Sequence, residues 1–166
     1  MHETSTSAYR FGDLLAITRE FWVREMVNEL AAAGFADYRR SDAALVRLLM
    51  RGPRSVGRIG DALEVSRQAA RKLVRGLEER GYARSETSPE DARRLDVSLT
   101  ARGEEFGRAI RVAVEVLNER VADRVTPAQL RAADAVLRAA LPDDHALQLA
   151  ARLVPPPTDE VNERPR

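Results

Sequence analysis

The sequence predicts a mainly α fold with one small β-hairpin, a winged helix-turn-helix flanked by long N- and C-terminal helices. Three observations predict it. Two short helical patterns, residues 56–63 and 66–80, are joined by only two residues, Glu64 and Val65, and the second pattern is basic. Two strand-like runs follow, 82–86 and 95–99, around the polar turn 87–94. On either side, residues 8–33 and 100–124 carry long helical apolar patterns.

The N-terminal pattern spans roughly 40 Å at 1.5 Å per residue. Phe11, Leu14, Leu15, Thr18, Phe21, Trp22, Met26 and Leu30 give it a wide apolar face, and Gly34 is a natural stop. Such a helix is too long and too apolar for a small domain to cover, so its expected cover is a second copy of the chain. Ser41 or Asp42 is expected to cap a helix carrying Leu45, Leu48, Leu49 and Met50, which Gly52-Pro53 breaks. Ser55 can cap the next short helix, with Val56, Ile59, Ala62 and Leu63 facing inward.

The basic helix divides into two faces. Ala70, Leu73, Val74 and Leu77 recur at i, i+3, i+4, i+7 and face inward. Arg67, Arg71 and Arg75 recur every fourth residue on another side, beside Gln68 and Lys72. Ser66 sits at the N-cap, and no acidic residue lies between Val65 and Leu77. A helix that docks by one face and offers a basic, hydrogen-bonding face suits the DNA major groove. An ordinary surface helix with solvated arginines is the competing reading at this point.

After the hairpin, Thr100 opens a long helix bearing Phe106, Ile110, Ala113, Val114, Leu117, Val121 and Val125, widened by Val112 and Val116. Thr126 and Gln129 form a capping-box pair around Pro127. The helix they start carries Leu130, Ala133, Leu137 and Leu141, and a last short helix is expected through Leu147, Ala150 and Leu153. The expected organisation is one compact domain in four parts. Residues 1–34 are an N-terminal dimerisation helix and 35–100 the winged DNA-binding lobe. Residues 101–154 are C-terminal dimerisation helices and 155–166 a disordered tail.

Composition narrows the function. The 166 residues can hold one domain with a real core. Cysteine is absent, which excludes disulfides, thiol nucleophiles and thiolate metal sites. His2 and His145 stand far apart, so no metal or cofactor is expected. No Ser-His-Asp, metal-ligand or phosphate-cradle spacing appears, and an enzyme is not expected. The chain carries a net charge of +1, but residues 1–50, 51–102 and 103–166 carry −1, +4 and −2. A locally basic face on a near-neutral chain fits double-stranded DNA better than general stickiness toward anions. No apolar run approaches the roughly 18 residues of a membrane span. The N-terminus has no secretory pattern, so a cytoplasmic protein with no membrane partner is expected.

Two motifs then stand together. One is Val65-Ser66-Arg67-Gln68 followed by Leu73-Val74-Arg75-Gly76-Leu77-Glu78-Glu79-Arg80-Gly81-Tyr82. The other is Pro89-Glu90-Asp91-Ala92-Arg93-Arg94 followed by Val97-Ser98-Leu99-Thr100-Ala101-Arg102-Gly103. With the order of elements, they resemble the MarR (multiple antibiotic resistance regulator) family over about residues 41–103. The resemblance implies a homodimer built from the N- and C-terminal helices of both subunits. The reading that follows is a transcription regulator on a pseudo-palindromic DNA site, repressing by promoter occupancy, with activation also compatible. The resemblance also implies that Ser66, Arg67, Gln68, Arg71, Lys72 and Arg75 lie in or beside the major groove. Asp91, Arg93 and Arg94 would be the wing's DNA-binding residues, with Arg93 in the minor groove and Asp91 holding its guanidinium.

Arginine pairs with guanine and glutamine with adenine, so Arg67, Gln68 and Arg71 are expected to read bases. Arg75 and Lys72 are expected on phosphate. Arg54, Arg58 and Arg84 are further phosphate candidates, with ordinary surface charge an equal reading. A small amphipathic effector is admitted as a partner, with Trp22, Met26, Phe35, Tyr38 and Met50 as candidate pocket residues. Core or dimer-interface packing competes for each of them. The alternative function is a dimeric winged-helix module acting through a protein partner. Two positions depart from the family pattern: Glu64, where glycine is common, and Gly60, in mid-helix.

Overall fold

Residues 10–88 and 95–141 are described by the structure, a computed structural model. Among them α1 (Phe11–Ala32) is the first element. Its C-terminal half buries Met26 and Leu30, while Phe11, Leu14, Leu15 and Phe21 at the other end are exposed. Beyond Gly34 the chain turns back, and the Phe35 amide donates to the Leu30 carbonyl at 2.8 Å.

Helix α2 (Asp42–Leu49) buries Leu45, Val46, Leu48 and Leu49. The expected cap is not formed: Ser41 makes no side-chain cap bond. Asp42 is buried, and its carboxylate accepts the Arg39 amide at 2.8 Å and the Arg80 guanidinium at 2.7 Å. A remote arginine has claimed the carboxylate that sequence proximity assigned to the helix start.

A two-residue strand, β1 (Arg54–Ser55), precedes α3 (Val56–Leu63). Two residues cannot display an alternation, so this strand left no pattern in the sequence. Ser55 caps α3 as expected, its Oγ accepting the Arg58 amide at 3.3 Å. After α4 (Arg67–Glu78) the hairpin forms from β2 (Ala83–Thr87) and β3 (Leu95–Leu99). The sheet is antiparallel in the order β1-β3-β2, with Ser85 opposite Val97 and Arg54 opposite Val97 on the other side.

Helix α5 (Ala101–Ala122) begins where Thr100 Oγ1 accepts the Gly103 amide at 3.1 Å. Helix α6 (Pro127–Ala139) carries the expected capping box of Thr126 and Gln129. The short helix and tail expected over 142–166 lie outside the described residues.

The core is built from α1 to α5 and β3: Leu30, Val46, Ile59, Leu77, Val97, Phe106 and Ile110 are all buried, while α6 buries none. Tyr82 and Phe106 stack with ring centroids 4.5 Å apart. Gly103 explains how α5 reaches this position. A Cβ there would stand 1.9 Å from the Tyr82 carbonyl oxygen, so only glycine lets the helix start against the strand entry. Along α1, Arg120 of α5 pairs with Glu25 at 3.4 Å and also with Glu29.

Candidate nucleic-acid interface

The turn from α3 to α4 aims the basic helix. Glu64 adopts φ 54°, ψ 42°, the left-handed region. The Val65 amide then donates back to the Gly60 carbonyl at 3.0 Å. Gly60 is itself explained by this return: a Cβ there would lie 3.1 Å from the Val65 carbonyl oxygen. Glycine in mid-helix costs about 1 kcal/mol against alanine, and here it permits the close crossing of the two helices. Ser66 caps α4, its Oγ accepting the Ala69 amide at 3.1 Å.

The two faces of α4 separate as the periodicity requires. Ala70, Val74 and Leu77 are buried and Leu73 is half-buried. Ser66, Arg67, Gln68, Arg71, Lys72 and Arg75 are all exposed. Among the described residues, none of the four cations Arg67, Arg71, Lys72 and Arg75 is ion-paired. Their charge therefore faces outward unspent.

Beside this face runs a groove of about 680 Å³ between α4 and the hairpin. Arg71, Lys72 and Arg75 line it from the helix, Ser85 and Leu95 from the strands, and Val56 and Val74 make it partly apolar. Glu78 also lines it, and its Oε1 accepts the Ser85 hydroxyl at 2.6 Å.

The far end of α4 is held by a network the sequence reading did not find. Arg80 donates through Nε to the Gly76 carbonyl at 2.6 Å. Its two terminal nitrogens grip Asp42 at 2.7 and 2.9 Å, and Nη1 also reaches the Asp37 carbonyl at 2.9 Å. The hydrogen bond to Asp42 holds the Arg80 guanidinium above its ordinary pKa. The Tyr82 hydroxyl donates to Asp37 Oδ1 at 2.5 Å, and burial foremost raises its pKa. The quoted motif contained Arg80-Gly81-Tyr82, but nothing in its spacing pointed 38 residues back to Asp42.

Other expected residues scatter. Asp91, Arg93 and Arg94 lie outside the described residues. Arg84 pairs with Glu86 on its own strand at 3.1 Å, Arg58 is exposed, and Arg54 has a buried Nε without a partner among the described residues. Of the five pocket candidates, Met26 is core, and Trp22, Phe35 and Tyr38 are half-buried against it. The Phe35 and Tyr38 rings sit 5.1 and 6.2 Å from Phe106. Burial raises the Tyr38 pKa. Met50 is exposed, its sulfur beside Gly107.

Residues 37–94 match the sequence model of the MarR family. Over that stretch the winged-helix core is similar to the MarR family. Solved structures agree with this chain in fold. Streptococcus pneumoniae FabT in complex with DNA superposes with a TM-score of 0.65 at 21% identity, covering 75% of this chain and 87% of that one. An S. aureus MepR mutant bound to an oligodeoxyribonucleotide gives 0.56 at 15% identity, covering 78% and 94%. The apo form of wild-type E. coli MarR gives 0.59 at 16%, covering 81% and 98%. No curated protein sequence matches the chain significantly. Among the described residues, no helix is long and apolar enough to cross a membrane.

Proposed function

We propose that this chain is a homodimeric transcription regulator that binds a pseudo-palindromic DNA site and represses by occupying a promoter. The observation that carries the reading is the exposed face of α4, with Gln68 among four cations unpaired among the described residues. A helix whose cations have no internal partner is electrostatically incomplete, and a phosphate backbone completes it. Arg67, Gln68 and Arg71 sit toward the helix start, where a recognition helix meets base edges. Lys72 and Arg75 follow on the groove side and suit phosphate. FabT, solved with DNA, shares the fold. Half-sites about one helical turn apart would each take one subunit.

Quantitative binding to the DNA upstream of the protein's own gene, across salt concentrations, tests this. Specific binding with a steep salt slope is expected. Arg71→Ala should reduce discrimination at the affected base pair by about 1–3 kcal/mol. Binding to the best genomic fragment no tighter than to random duplex would overturn the reading.

A further inference from the structure

Glu78 follows Arg75 by three residues on α4, a spacing that places the two side chains side by side on a helix surface. The pair is nevertheless not formed. The Glu78 carboxylate turns across the groove to β2, where Oε1 accepts the Ser85 hydroxyl at 2.6 Å. A hydroxyl donating to a carboxylate is a short, charge-assisted bond and competes well with an exposed ion pair. Ser85 has no other evident task. It stands opposite Val97 on the helix-facing side of the hairpin, but Val97 is fully buried whereas Ser85 is exposed in the groove.

We propose that Ser85 is a positioning residue for DNA binding: it holds Glu78 across the groove and so keeps Arg75 free for phosphate. The inference rests on the DNA-binding reading and adds a specific division of labour between helix and hairpin. Without the hydroxyl, Glu78 returns to its helical neighbour and cancels one cation of the binding face. Glu78 is the acid in a groove whose other charged lining residues are Arg71, Lys72 and Arg75, so its placement decides how much of that charge reaches the backbone.

The test is a double-mutant cycle on the full chain, with a fluorescein-labelled duplex of arbitrary sequence and salt titrations. Ser85→Ala in the wild-type background should lower the magnitude of the log–log salt slope by up to about 0.9. It should also weaken binding at low salt by about 1.4- to 2.3-fold, the size expected for a helical neighbour pair. In the Glu78→Gln background the same Ser85→Ala change should do nothing, because no carboxylate remains to be released. Ser85→Thr, which keeps the hydroxyl, should behave as wild type. Circular dichroism melts report whether each variant is folded, and an exposed serine on a strand tolerates both changes. An unchanged slope in Ser85→Ala, tighter binding, or an equal loss in both backgrounds overturns the proposal while leaving the DNA-binding reading intact. Failure of the wild type to bind any duplex at low salt would instead remove that reading itself.

Discussion

Arg80, at the end of the basic helix, and Asp42, at the start of α2, form a two-pronged ion pair at 2.7 and 2.9 Å with both side chains at least nine-tenths buried. Two further guanidinium N–H groups are spent on the Gly76 and Asp37 carbonyls, so four of the five donors are engaged. The pair therefore ties the basic helix α4 to the segment entering from α1. It sets where that helix ends relative to the rest of the lobe.

Asp42→Ala removes one partner and leaves the other buried. Breaking such a pair costs about 3–5 kcal/mol. The lower end is expected here, since two carbonyls still solvate Arg80. Urea denaturation of the variant checks it, and a loss under about 1 kcal/mol would show the pair to be energetically idle.

The Tyr82 hydroxyl gives a pH dependence. Its pKa is raised above 10.0 by burial first, then by its hydrogen bond to Asp37. The unfolded chain loses this proton near the ordinary value and the folded chain holds it longer. The stabilisation is thus complete below 10.0 and is lost as pH rises through the raised folded value. Tyr38, raised mainly by burial, acts in the same direction. Thermal melts should fall more steeply above that pH in wild type than in Tyr82→Phe. Parallel curves for the two proteins would remove Tyr82 as a cause.

What the sequence made legible was periodic or local. Helices α3 and α4, the hairpin and the Thr126–Gln129 box each declare themselves within a few residues, and the exposed basic face of α4 follows from its spacing. The ion pair of Asp42 with Arg80 did not show, because a contact between side chains 38 residues apart leaves no periodic trace. A carboxylate beside a helix start looks like a cap whichever partner it finally takes. Strand β1 was too short to alternate. The pocket candidates were illegible for another reason: Trp22, Phe35 and Tyr38 have the composition of a binding site and of a core margin alike. Gly60 and Gly103 show the reverse, since each looked like a cost or a motif letter until the carbonyl beside it was placed.

Glu64 is the non-glycine residue with positive φ among those described. The left-handed region costs an ordinary side chain roughly 1–2 kcal/mol. Glycine there loses about 0.5–1 kcal/mol through the unfolded chain's greater freedom. Glu64→Gly should therefore stabilise by roughly 0.5–1 kcal/mol in chemical denaturation. The same variant should keep its DNA affinity if the turn already sits at its relaxed angle. A gain in stability accompanied by lost specificity would mean that the glutamate also fixes the aim of α4.

Phe11, Leu14, Leu15, Ile17 and Phe21 are each more than 40% exposed on α1, and Leu137 and Val136 are similarly bare on α6. Each such side chain, once covered, contributes about 1.5–3 kcal/mol. A second copy that covers α1 makes every substitution count twice, because the interface of a two-fold dimer repeats itself. Phe21→Glu should therefore weaken dimerisation by roughly 100-fold or more. The fold of each subunit should survive, since the ring is half exposed in the single chain, with the Arg24 guanidinium 4.4 Å over it. Sedimentation equilibrium on wild type and variant reads the dissociation constant directly. A wild-type dimer left intact by Phe21→Glu would exclude this stretch of α1 from the interface, and a monomeric wild type at micromolar concentration would remove the dimer altogether.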